Sequence, residues 1–279
     1  MKMISKIFLV IILLIGNFTI AQQKFHVEFN QLKGELTLKD NYRKDFGRYH
    51  GYEIPLYKGD GVVFIAYSES FKPSLVLVTP NGNVFKQSKN NKSDFVQINA
   101  KIPESGNWIL YVVGDSSALG SYELQYGFAD KNSLSPGENP DFCTALDFVL
   151  EHANAYFLLL DNPIDSQKPF IKFPQALDIF LDDSDGSFTI TFYQGDDYKQ
   201  ALNFYKKYFE MVKNCLKENF SFVTNKSEQS EEYKNTYSLF TEKLQQKPRA
   251  VKVDLYDFSV SKTKQPVNYL VDISVGKLN

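Results

Sequence analysis

With three histidines, two cysteines and one tryptophan in 279 residues, the chain has little raw material for metal or thiol chemistry. His26, His50 and His152 stand singly, without the spaced partners that a zinc site needs. The stretch "LEHA" around His152 is not the two-histidine helix of a metalloprotease, and no serine lies in a nucleophile-elbow pattern. "KGDG" at 58–61 lacks the further glycines of a phosphate-cradling loop. His50 with Asp45, or Glu151 with His152, can be paired on paper, but such neighbours occur by chance in most chains of this size. Positive charge is also missing: 31 Lys and Arg against 33 Asp and Glu give a formal net charge of −2, with no basic face for counterion release. Nucleic acid is therefore not an expected partner. After residue 16 no apolar run approaches the roughly twenty residues that span a bilayer, so no transmembrane segment is expected once the leader is removed.

What is present begins with that leader. Lys2 and Lys6 precede an apolar run from Ile7 to Gly16, and Thr19 and Ala21 stand three and one residues before a cut ahead of Gln22. A charged start, a short greasy core and small residues at the cut describe a secretory signal peptide over 1–21. Polar Asn17 and Thr19 end the run at once, which argues against an uncleaved anchor, and no cysteine follows it to carry a lipid. Losing Lys2 and Lys6 takes the charge from −2 to −4. The expected location is exported, either periplasmic or extracellular.

The mature length of about 260 residues suits two ordinary domains. "ADKNSLSPGENP" at 129–140 carries Ser133, Ser135, Pro136, Gly137 and Pro140 and no apolar period, so it reads as an exposed connection. The expected division is a β-sandwich over 22–128, a linker over 129–139 and an α+β domain over 140–279.

In the first part, "GVVFIAYSES" and "SLVLVTPNGNVF" are apolar on both alternate faces, as central strands of a sandwich should be. "GSYELQYG" alternates instead, with Tyr122, Leu124 and Tyr126 on one side and Ser121, Glu123 and Gln125 on the other. Pro80, Asn81 and Gly82 supply turn chemistry. About seven such strands predict an antiparallel sandwich.

Three stretches taken in order, "YEIPLYKGDGVVFIAY", "FKPSLVLVTPNGNVF" and "ESGNWILYVVGDSSALGSYELQYG", resemble the bacterial pre-peptidase C-terminal domain family. Lys58, Gly59 and Asp60 match its turn before a core strand. Pro80 and Gly82, Gly106 and Val112, and Gly120, Tyr122 and Leu124 match its later strands and turns. The likeness covers residues 34–128 and implies a jelly-roll-like sandwich serving as an accessory or binding module of secreted proteins, often proteases. Trp108 replaces the family's usual tyrosine. The sandwich follows the leader with no peptidase before it, so the link to proteolysis is not expected to carry over. Some sandwiches of this kind bind calcium, but Asp40, Asp45, Asp60 and Asp94 are scattered, and Asp60 is expected to shape a turn.

In the second part, Asn139, Pro140 and Asp141 read as a helix start with Asn139 at the cap and Pro140 in the first turn. Phe142, Leu146, Val149, Ala153 and Tyr156 follow at helical spacing. A second helix from Asp196 and Asp197 carries Leu202, Tyr205, Phe209, Val212 and Leu216 on one face, with Lys206, Lys207, Lys213 and Lys217 largely elsewhere. Between the helices "ALDIFLDD" and "GSFTITFYQG" form a predicted hairpin. "YKNTYSLFTEK", "AVKVDLYDF" and "VNYLVDISV" supply further strands. This order predicts both helices on one side of an antiparallel sheet. The other face would be open and lined by Thr189, Thr191, Tyr193, Lys252, Asp254 and Tyr256.

That topology brings the start of the first helix and the end of the second to one edge, where Cys143 and Cys215 lie. In an oxidising compartment the pair is expected to form a disulfide, stabilising the fold by roughly 4 kcal/mol in the chain-entropy treatment. "LDDSDGS" at 181–187 fails as an EF-hand, since Leu181 and Phe192 stand where acids are required. It is expected to be a polar hairpin turn at Gly186; a looser calcium site stays open, and no other cofactor or metal is expected. The sequence thus describes an exported, non-enzymatic binding or accessory protein for a protein, peptide or glycan ligand. A hydrolase with fold-assembled catalytic groups and a chaperone-like docking module remain the alternatives.

Overall fold

The computed structural model describes residues 24–89, 94–160, 171–182, 186–243, 245, 248–263 and 265–277; the expected leader lies outside them. Nine strands come first: β1 (Val27–Leu36), β2 (Tyr42–Arg43), β3 (Gly47–Leu56), β4 (Gly61–Tyr67), β5 (Ser74–Val78), β6 (Val84–Lys89), β7 (Phe95–Lys101), β8 (Gly106–Gly114) and β9 (Gly120–Ala129). They form two antiparallel sheets, β1-β9-β4-β7 and β2-β3-β8-β5-β6. The interior between them holds Phe64, Leu75, Leu77, Ile98, Trp108, Leu110 and Leu124, all buried. The predicted alternation is seen in β9, where Tyr122 and Leu124 point inward and Ser121 outward. Two more strands are present than the sequence suggested, because β1 and the two-residue β2 carry mixed polar patterns.

The second layer contains α1 (Phe142–Ala153), β10 (Asp178–Asp182), β11 (Ser187–Gly195), α2 (Tyr198–Leu216), β12 (Phe220–Gln229), β13 (Lys234–Glu242), β14 (Arg249–Asp257) and β15 (Tyr269–Lys277). The strands make one antiparallel sheet, ordered β10-β11-β15-β14-β13-β12. Both helices cover one face: Phe148, Val149, Tyr208 and Val212 share a core with Ile190, Val251, Val253 and Ile273. β10 and β11 pair as the expected hairpin around Gly186, whose φ is +66°; residues 183–185 of its turn lie outside the described residues. β12 is an edge strand with exposed residues along most of its length, which is why no apolar alternation announced it.

Two helix boundaries differ from expectation. The cap of α1 is Asp141, not Asn139: its Oδ1 accepts the Thr144 amide at 2.8 Å and its Oδ2 the Thr144 hydroxyl at 3.0 Å, satisfying an end amide that Asn139 does not reach. The helix also stops at Ala153, before Tyr156. Tyr156 and Phe157 have φ of +50° and +58°, a left-handed conformation that ends an α-helix.

Cys143 and Cys215 form a disulfide with Cα atoms 5.1 Å apart. Among the described residues no helix is long and apolar enough to cross a membrane. The two layers also share side chains. Phe25, ahead of β1, packs edge-on against Phe148 of α1 at 5.1 Å and belongs to the helix-bearing core. In the connecting stretch Ser133 is fully buried. Its hydroxyl accepts the His26 amide at 2.6 Å, and its carbonyl accepts Nε2–H of His152 at 2.7 Å. Burial in apolar surroundings pushes the His152 imidazole down to about 4, so it is neutral at this joint.

Candidate functional site

Strand register decides which predicted residues share a face. Across β11, β15, β14 and β13, Thr191, Asp272, Asp254 and Tyr237 stand in one row. Thr189, Ser274, Lys252 and Leu239 form the next, and Tyr256 is opposite Asn235. All project away from the helices, because their neighbours Val251, Val253 and Ile273 point into the helix-covered core. Five of the six predicted face residues are therefore together.

Tyr193 is not among them. The register slips between Thr191 and Tyr193, and the extra residue turns Tyr193 to the helix side. Its ring lies 5.3 Å from that of Phe204, and its hydroxyl donates to the Asp197 carbonyl at 3.1 Å. The neighbouring Phe192 stacks on Tyr208 at 3.8 Å on the same side.

Nor is the centre of this face open. Thr189, Thr191, Asn235, Asp254 and Asp272 are all buried, Asp254 completely. The ammonium of Lys252 sits 2.7 Å from Asp254 Oδ1 and 4.4 Å from the centroid of the Tyr237 ring, so the long side chain lies across the row. The Asn235 amide donates to Asp254 Oδ1 at 2.7 Å. Burial raises the Asp254 carboxyl against the pull of Lys252 and Asn235. Burial, opposed by a hydrogen bond with Thr191, pushes the Asp272 carboxyl up to about 7. Burial and the two nearby carboxylates also raise the Tyr256 hydroxyl. Asn235 Oδ1, Asp254 Oδ2 and Asp272 Oδ1 have no hydrogen-bond partner, and leaving such a buried atom unsatisfied costs about 1–3 kcal/mol.

The sandwich contains a polar chain that no sequence spacing revealed. His50 Nε2 is 3.0 Å from Asp40 Oδ1, His50 Nδ1 is 2.6 Å from the Tyr122 hydroxyl, and that hydroxyl is 2.5 Å from the Tyr52 hydroxyl. The backbone amide of Thr37, then His50, hold the Asp40 carboxyl down to about 2. Burial, with Tyr52 beside it, raises the Tyr122 hydroxyl, which is the wrong direction for a nucleophile. Because His50 and Tyr52 lie on β3 and Tyr122 on β9, the chain ties the two sheets together. A side chain at Gly34 would overlap the Tyr122 ring, so this close approach requires glycine there. The members of the pairs imaginable on paper bond other partners. Asp45 bonds Arg43 at 2.8 Å, while Glu151 pairs with Arg249, which also holds Glu242.

A broad cleft of about 840 Å³ lies where the sandwich meets the connecting stretch. Its walls include Tyr57, Phe128 and His26, and its rim carries Lys58 and Lys131. Tyr57 is 64% exposed, which leaves its ring face available. The Lys58-Gly59-Asp60 turn shapes one side. Asp60 Oδ2 accepts the Tyr57 amide at 2.8 Å, the Gly59 amide donates to the Ile102 carbonyl at 2.7 Å, and Gly59 takes a φ of +96°. Asp60 thus shapes the turn that the sequence assigned to it, and burial raises its carboxyl. Asp130 is likewise engaged, accepting the Asn132 and Ser133 amides at 2.9 Å each. The cleft therefore offers aromatic surface and lysine ammonium groups, while its carboxylates serve the backbone.

No family model matches the chain, and no curated protein matches it. Similar solved structures include a periplasmic inhibitor of g-type lysozyme from Aeromonas hydrophila, at 15% identity and a TM-score of 0.29, covering 37% of this chain and 87% of that one. The pre-peptidase C-terminal domain of a collagenase from Bacillus anthracis has 18% identity and a TM-score of 0.28, covering 36% and 89%. A Paenibacillus sp. cycloisomaltooligosaccharide glucanotransferase complexed with cycloisomaltoheptaose has 11% identity and a TM-score of 0.24, covering 93% and 44%. A pre-peptidase C-terminal domain is thus among the structural neighbours, and none of these likenesses bears on what this chain binds.

Proposed function

We propose that this is an exported, non-enzymatic binding protein that holds an acidic peptide segment of a partner protein in the cleft between Tyr57, Phe128 and the two rim lysines. The reading includes cleavage after Ala21, and two units over 22–128 and 140–279 joined through 129–139. The observation that carries it is the cleft's composition. Aromatic walls suit the body of a peptide side chain, and Lys58 and Lys131 suit its carboxylate. Cleft carboxylates occupied with backbone amides are poorly placed to activate a nucleophile, which favours holding a ligand over cleaving it.

The test is titration of the mature chain with peptide libraries that vary acidic content, followed by mass spectrometry of the recovered peptide. Expected are preferential binding of acidic, aromatic-containing peptides, their recovery intact, and at least a tenfold loss in Tyr57→Ala and in Lys58→Glu, equivalent to about 1.4 kcal/mol or more. Recovery of cleaved peptide would instead establish the hydrolase alternative. Binding of oligosaccharides alone would assign the aromatic wall to glycan recognition, and affinity indifferent to both substitutions would move the site elsewhere.

A further inference from the structure

We propose that Asn235, Asp254 and Asp272 form a calcium site on the helix-free face of the six-stranded sheet, separate from the cleft. The three side chains come from three adjacent strands. Asp254 and Asp272 are directly opposite each other on β14 and β15, and Asn235 on β13 is hydrogen-bonded to Asp254. Each is more than nine-tenths buried, and each has one oxygen without a partner: Asn235 Oδ1, Asp254 Oδ2 and Asp272 Oδ1.

The number of these oxygens distinguishes the occupants. A proton shared by the two carboxylates would satisfy two of them and leave the Asn235 carbonyl wanting. One water molecule has only two hydrogens for three acceptors, so water alone would have to enter as an ordered pair, with its own lone pairs facing the carboxylates. In the proposed site one hard cation beside Asp254 takes all three, with Asn235 and Asp272 reaching it from the strands on either side; calcium tolerates the irregular geometry that strand side chains impose and draws its remaining ligands from water. Two carboxylates and one amide carbonyl are the donor set of a hard ion, with no nitrogen or sulfur ligand to favour zinc. Such a site is not a group of three acidic, histidine or cysteine side chains, and among the described residues no group of that kind is placed to hold a metal.

Lys252 is the built-in competitor. Its ammonium occupies Asp254 Oδ1 at 2.7 Å, leaving Oδ2 for the ion, and its side chain is about a third exposed, so it faces the route from solvent. With both carboxylates ionised the three ligands carry two negative charges, one of which this lysine offsets. Removing the ammonium would therefore tighten calcium binding.

The experiment uses the mature chain, with terbium luminescence sensitised by Tyr256 and Tyr237 and displaced by calcium, alongside thermal melting in EDTA and in calcium chloride. Calcium is expected to raise the melting midpoint by roughly 5 °C at a hundredfold excess over its Kd. Asp272→Asn is expected to abolish that response, and Lys252→Gln to strengthen terbium binding. An identical wild-type midpoint in EDTA and in millimolar calcium would overturn the site, as would terbium emission unchanged by Asp272→Asn. If Asp272→Asn fails to fold, the Lys252→Gln titration decides the matter: binding no tighter than wild type would overturn the site.

Discussion

The sandwich and the helix-bearing layer each contain a polar network, half-buried in the first around the buried Tyr122 and buried in the second, and the two are finished differently. In the sandwich, Asp40, His50, Tyr122 and Tyr52 satisfy one another in sequence, and the result joins two sheets. In the other layer, Asn235, Asp254 and Asp272 leave three buried oxygens unmatched on a face that, among the described residues, no helix covers. A closed network adds rigidity at little net cost, whereas an open one lowers stability until something completes it. The contrast suggests a structural role for the first and a ligand for the second.

The largest effect expected from testing this contrast is on the helix-bearing layer. Cys143→Ser with Cys215→Ser removes the tie between the start of α1 and the end of α2 and should cost roughly 4 kcal/mol. Hydrogen exchange should locate the loss in 140–277 and leave the interior of the sandwich protected. Equal loss in both parts would mean that the shared contacts of Phe25 and Ser133 make them one cooperative unit.

Next in size is Asp272→Asn in EDTA. Folded Asp272 keeps its proton to about pH 7, while an unfolded aspartate releases it near 3.8. Through that window the unfolded chain binds fewer protons, so wild-type stability falls as pH rises from about 4 to 7. The substitution should remove this decline and stabilise the protein at and above pH 7 by roughly 3 kcal/mol, after discounting the upper bound for relaxation of the site. Denaturant melts across pH 4–8 measure it, and an unchanged profile would mean that Asp272 is solvated.

The smallest effect is Tyr122→Phe, which breaks the closed network while keeping the ring. It should cost about 1 kcal/mol through the unpaired His50 and Tyr52 atoms. The size of that loss should be the same in EDTA and in calcium, because the variant keeps the calcium response of the other layer. A calcium-dependent change there would erase the distinction between the two networks.

Much of the architecture was legible in local pattern. "SLVLV" and "GSYELQYG" announced a buried strand and a one-sided strand, and Leu146, Val149, Tyr205 and Val212 marked the covered helix faces. The pairing of Cys143 with Cys215 followed from counting chain reversals. The sites were less legible. Tyr193 alternates with Thr189 and Thr191 in sequence, but one bulge places it with Phe204. His50 has Asp45 nearby in the chain, yet its partner is Asp40, because Asp45 turns to Arg43. Asp272 gave no sign of pairing with Asp254, since that depends on the register of β14 against β15.

By itself the sequence determined where both helices and the half-buried or buried strands form and which of their faces are apolar, because periods of 2 and 3.6 residues are written into neighbouring side chains. Only the tertiary structure decided which distant polar atoms meet and which are left without partners. Cross-strand register and a single bulge set those meetings, and the energies that select them come from contacts between residues far apart in the chain.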